Sequence, residues 1–133
     1  MTDVERLKHL KLALGIVGVL ATFGVYPLTV LWPSGWAWHS GRSEYLEMII
    51  AIYATLGVFL MIAARSPNDH LSLISFTIWS SIVHGAVMAV QAVLNPQHLH
   101  HLYGDVLALF AIAAVLGFLS PEALRLRFER HAA

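Results

Sequence analysis

Few side chains able to do chemistry stand inside the hydrophobic runs of this chain, and those few are informative. His84 lies in the middle of the longest run, in line with Thr77, Ser81, Met88, Gln91 and Asn95 at intervals of three and four residues. On a helix these residues share one stripe, within an arc of about 80°. Tyr26 and Glu47 stand near the ends of two other runs, and Asp105 just inside the start of a fourth. If the runs cross a membrane, His84 sits about 15 Å below the end of its helix, near the midplane. An ionisable group at that depth is expensive and points to function. Glu47, Gln91 and Tyr26 fall in the outer third. The expectation is an outward-facing polar pocket built from His84, Glu47, Gln91, Tyr26, Ser81, Thr77 and Asp105. It would take a small amphiphile, a quinone or another lipophilic ligand, a metal ion, or a larger membrane complex to which the chain is an accessory. A second possibility is a small membrane oxidoreductase or isomerase with Glu47 and His84 as acid and base. That chemistry needs both groups within ~3 Å of a substrate atom, yet helix rise puts them about 10 Å apart in depth. A third is a purely structural membrane subunit, because small and hydroxyl residues on one face are also what helices use to pack in lipid.

A second group of polar residues is His39, His98, His100 and His101, with Glu44 and Asp105 nearby. Imidazole with carboxylate suits a zinc or copper ion, although the run His98-Leu99-His100-His101 has no fixed ligand spacing. Other cofactors find no support. There is no cysteine, which removes disulfides, thiolate catalysis and an Fe–S cluster. A haem held by two histidines lacks its second deep ligand, and a di-iron site its second intramembrane carboxylate. Glycine-rich phosphate loops and nucleophile-elbow motifs are absent. The formal net charge of zero gives no reason to expect a nucleic-acid partner.

The elements that must position these groups follow from composition. Apolar residues make up 58% of the chain and charged residues 12%, against about 25% charged in soluble domains. Four runs, at roughly 10–31, 45–64, 71–94 and 103–120, approach the ~20 residues needed to cross a bilayer. Lipid leaves no choice but helix. Pro33, Pro67 and Pro96 sit where helices should stop, and the short connections make neighbours antiparallel. The expected fold is all-α: one domain over 1–133, a four-helix transmembrane bundle running up-down-up-down. Pro27 should kink the first helix by freeing the carbonyl of Phe23. Ser120-Pro121-Glu122 reads as the start of a short C-terminal helix over 121–130, lying along the membrane interface through Leu124 and Phe128. The first run exceeds the h-region of a signal peptide, so it is expected to be retained.

Arg6, Lys8, Lys11, Arg65, Arg125, Arg127 and Arg130 fall on one side of this topology, and only Arg42 on the other. The positive-inside rule then places both termini in the cytoplasm. Trp32, Trp36, Trp38 and Tyr103 would form an aromatic belt at the outer interface. The non-polar side of the third helix, which carries Ala86 and Val90, suggests a homo-oligomer or a subunit of a larger membrane complex.

The segments LWPSGWAWH, SEYLEMIIAIYATLGVFL, IWSSIVHGAVMAVQA and HLYGDV, between Leu31 and Asp105, resemble a family of small bacterial four-helix membrane proteins defined only as a domain of unknown function. The resemblance implies the same topology and a place in the bacterial inner membrane. It is compatible with Glu47, His84, Gln91 and Asp105 sharing one site, and it brings no catalytic residue with it.

Overall fold

The computed structural model describes residues 1–124, and among them the chain is helical without a strand. The first helix starts at Asp3, seven residues before the apolar run. Thr2 and Glu5 explain this: the Thr2 hydroxyl accepts from the Glu5 amide and the Glu5 carboxylate from the Thr2 amide, a reciprocal cap. The helix continues to Leu31 in three pieces: α1 (Asp3–Val19), a π-helical turn (Leu20–Gly24) and α2 (Val25–Leu31). The expected break is therefore upstream of Pro27. The Val25 amide reaches five residues back to the Leu20 carbonyl, and the wide turn is itself a known cause of helix bending. One helical turn, α3 (Pro33–Trp36), interrupts the first connection. α4 (Glu44–Ala63) and α5 (Leu71–Leu94) are the second and third long helices. A 3-10 segment (Pro96–Tyr103) leads into α6 (Asp105–Leu119), and α7 (Pro121–Leu124) follows.

Four stretches are long and apolar enough to cross a membrane: Asp3–Leu31, Glu44–Ala63, Pro67–Leu94 and Pro96–Leu119. Large apolar side chains such as Leu12, Phe23, Ile52, Phe59, Val83 and Phe118 face outward, as helices surrounded by lipid require. The bundle is two tight pairs, α1 on α4 and α5 on α6. The pairs meet at the end that carries Asp3, the 64–70 connection and α7. There Leu10, Leu14, Leu60, Ile74, Ile78, Leu116 and Leu119 form the main core. The opposite end, which carries the 32–43 connection and the 3-10 segment, has a smaller core of Met88, Val106 and Leu109. α4 and α5 touch only slightly.

The α1–α4 pair depends on missing side chains. A Cβ on Gly18 would lie 2.8 Å from the Gly57 carbonyl oxygen, and one on Gly57 would lie 2.5 Å from that of Gly18. The Thr22 hydroxyl donates to Gly18 O at 2.8 Å and across the interface to Ala54 O at 3.3 Å. Without a hydrophobic drive between helices in lipid, such close backbone approach is what dispersion needs.

The C-terminal helix is only partly within view. Ala123 is buried in the main core, so the first turn of α7 folds onto α5 and α6 rather than leaving the bundle. Among the described residues the Ser120 hydroxyl has no hydrogen-bond partner, so the capping bond expected of it is not made within them. Residues 125–130, with Phe128, lie outside the described residues.

Gly57→Ala should destabilise the bundle by about 1–3 kcal/mol, because backbone must move to admit one methyl. Gly15, with nothing within 4 Å of its Cβ position, is the control: Gly15→Ala should leave the midpoint of thermal unfolding in detergent unchanged or raise it.

Candidate functional site

Around the smaller core stand two polar groups, one above and one below. The upper group is centred on Asp105, the first residue of α6. Its position is set by two glycines. Gly35 of α3 and Gly104 meet backbone to backbone, with the Gly35 Cα 2.8 Å from where a Gly104 Cβ would be. This seats the 32–43 connection on the start of α6. Trp38 then reaches Asp105, and its indole Nε1–H donates to Oδ2 at 2.8 Å. His101 Nδ1 lies 3.1 Å from Oδ1, and the Val106 amide donates to Oδ1 at 2.9 Å. The carboxyl group, 8% exposed as a residue, thus accepts from three directions, as a buried acceptor should. The Trp38 ring stacks on His101, with centroids 4.1 Å apart, and on His98 at 5.0 Å.

The lower group is a pair. The Tyr53 hydroxyl and His84 Nδ1 are 2.6 Å apart, with the rings stacked at 5.9 Å. Tyr53 is the tenth residue of the twenty in α4, and His84 is ten residues from the end of α5. Both are therefore near mid-membrane depth, and their bond crosses the α4–α5 seam where little else does. Gly85 packs against Leu109 and Phe110, which puts His84 about one helical turn below Asp105. Trp38 and Tyr53 both pack on Met88, Val106 and Leu109. In the tautomer where Tyr53 donates to Nδ1, the imidazole Nε2–H is a donor available to a carbonyl or hydroxyl oxygen.

The pocket expected from the helix stripes is thus assembled differently. His84 and Asp105 flank the smaller core. Glu47 does not join them: it is exposed and holds Arg42, with Oε1 2.8 Å from Nε and Oε2 3.2 Å from Nη2. Those bonds push the Arg42 guanidinium above its ordinary value. Glu47 and His84 have separate partners, so the acid–base pair is not formed. Tyr26 is 62% exposed on α2, and Gln91 is exposed on α5. Thr77 and Ser81 are buried, and the Thr77 hydroxyl bonds back to the Leu73 carbonyl, which is packing chemistry. Two open apolar grooves, of about 420 Å³ between α5, α6 and α7 and about 540 Å³ between α1 and α6, include none of the expected pocket residues.

The four loop histidines also part company. His101 is buried on Asp105, His98 is half-buried under Trp38, and His39 and His100 are exposed. Among the described residues no three His, Asp or Glu side chains are grouped as a metal ion would need. The upper cluster holds its shape through hydrogen bonds and ring stacking instead.

Sequence reasoning passed over Tyr53 and Trp38. Tyr53 had a usable signal: it is the one phenol at the depth of His84. Trp38 had none, since its partner is 67 positions away and its loop carries no periodicity.

Tyr53→Phe and His84→Leu should each fold, and a double-mutant cycle on thermal unfolding should give a coupling of about 0.6–2 kcal/mol, the range for interhelical hydrogen bonds in membranes. Glu47→Gln should leave the unfolding midpoint unchanged, since exposed ion pairs contribute little.

No curated protein and no solved structure matches the chain. A family of unknown function, DUF6632, matches residues 4–127. The resemblance read between Leu31 and Asp105 thus extends over nearly the whole length, and the chain belongs to the DUF6632 family.

Proposed function

We propose that this protein is a non-enzymatic membrane binding protein. Its ligand is a lipophilic molecule with a hydrogen-bonding head, held at the Tyr53–His84 pair in the α4–α5 seam. The observation that carries this is the Tyr53–His84 hydrogen bond, halfway along α4 and mid-helix on α5, across the lightly packed α4–α5 seam. An imidazole and a phenol there are costly to keep without a role, and together they offer a donor and an acceptor to a carbonyl or hydroxyl group. The enzymatic alternative is weakened by the engagement of Glu47 with Arg42. In the same proposal the chain lies in a bacterial inner membrane and associates with a second copy or a larger complex through the face of α5 that carries Ala86 and Val90, both exposed.

The test is to purify wild type, His84→Leu and Glu47→Gln from native membranes in mild detergent and to examine each by native mass spectrometry. A small molecule should accompany wild type and Glu47→Gln and be lost from His84→Leu, with unfolding midpoints still close. Mass without any adduct in all three, or the same adduct in all three, would sink the proposal.

Both termini are proposed to face the cytoplasm, on the seven-to-one division of basic residues. Cysteines introduced at Ser40 and Gln97 should react with an impermeant thiol reagent applied to whole cells, and one at Asn68 should not. The reverse pattern would invert the topology.

A further inference from the structure

The α1–α4 and α5–α6 pairs are joined by a ten-residue buried core at one end, and by much less at the other. There α2 packs on α3, the π turn and α4, and the smaller core has only three buried members. What ties the pairs together at this end is the 32–43 connection. It leaves α2 through Trp32, whose backbone (φ −135°, ψ 66°) breaks the helix. Its α3 turn sits on the 3-10 segment and, through Gly35, on Gly104. Trp38 is fixed to Asp105. The chain then turns at Gly41, whose φ of 88° suits glycine alone, and runs into α4. Ser43 caps α4 by accepting from the Leu46 amide.

The two attachments differ in kind. The glycine contact is backbone on backbone and has no rotamer to change. Trp38 is a side chain, and its hold on α6 is one hydrogen bond plus ring stacking on His98 and His101. Between Trp38 and α4 lies the Gly41 hinge, exposed and with nothing within 4 Å of its Cβ position. Trp38 also covers the same Met88–Val106–Leu109 cluster on which Tyr53 packs. Movement of Trp38 would therefore uncover the top of the seam and free the start of α4 together.

We propose that residues 37–43 are a strap, anchored behind the fixed Gly35–Gly104 contact and latched by Trp38 on Asp105, whose release opens the α4–α5 seam above the Tyr53–His84 pair to the aqueous face. The strap controls access to the seam, and the site beneath is the one proposed above. The latch itself needs no ligand, so it stands or falls separately from the binding proposal.

The chain has no cysteine, so a single introduced thiol reports on one place. Ala89, half-buried on α5 and packed on the same cluster as Trp38, is the reporter. Ser75, half-buried near the other end of α5, is the reference. Each is changed to Cys in the full chain, reconstituted in liposomes of phosphatidylethanolamine and phosphatidylglycerol, and labelled with a water-soluble methanethiosulfonate. Trp38→Phe keeps the ring and removes the N–H. It should raise the labelling rate at position 89 about tenfold or more, the factor a lost hydrogen bond to a carboxyl group corresponds to, and leave position 75 unchanged. Asp105→Asn, which keeps an oxygen acceptor for Trp38, should give a smaller rise at position 89 alone. Unchanged labelling at 89, or an equal rise at 89 and 75, would overturn the strap.

Discussion

A hydrocarbon interior offers no hydrogen bonds, and every polar group at depth must find its partner inside the protein. The rest of this structure is arranged around that constraint. Backbone groups are satisfied by helix. Hydroxyls turn back on their own helices, as Thr22, Thr55 and Thr77 do onto carbonyls four residues earlier. Tyr53 and His84 do not turn back, and each becomes the other's partner across a seam. Asp105 meets the same demand nearer the surface by drawing in Trp38 and His101. Polar pairing therefore decides which helices must approach at this end, and packing decides it at the other.

The division of labour shows in the two cores. Where Leu10, Leu14, Leu60, Ile74 and Leu116 interlock, contact is continuous. Where polar side chains take over, the apolar core thins to Met88, Val106 and Leu109. A bundle built this way is firm at the end bearing the main core. At the other end it is held by a few directional bonds, each of which a single substitution can remove.

Much of the fold was legible because hydropathy and proline placement report directly on what lipid tolerates. Four spans and their order follow from that alone, while the start of the first is set seven residues upstream of the apolar run by the Thr2–Glu5 cap. The site was less legible. Helical stripes pick out residues that share a face, and His84 is among them. They do not say which neighbouring helix that face meets. Thr77 and Ser81 share the stripe and are buried, and the Thr77 hydroxyl turns back onto its own helix. Glu47 was placed by depth near Gln91 and Tyr26, yet Arg42 in the adjoining loop is a nearer and fully solvated partner. Asp105 belongs with a tryptophan that sequence alone assigns to an interfacial belt. Contacts made by loops depend on where the chain turns, and here that is set by two glycines meeting, which leave no hydrophobic or charge pattern.

The π turn at Leu20–Gly24 has an effect on phase. In an unbroken α-helix Gly18, Thr22, Tyr26 and Thr29, spaced by four, four and three residues, would all face α4. A π turn admits one residue more than an α turn, so everything beyond it is set back by about 100°. Gly18 and Thr22 keep their contact, and Tyr26 is rotated out to the surface. The stripe in the sequence is thus two half-stripes in different directions, and the first crossing helix has one face for its partner helix and another for whatever surrounds its far half. Pro27 just beyond the turn makes the offset hard to undo. Losing the extra residue would bring the half-stripes into line and put the proline ring against the carbonyl four residues back. The wide turn and the proline are in this sense a matched pair, and a change in the length of the chain between Val19 and Pro27 would act on orientation before it acted on length.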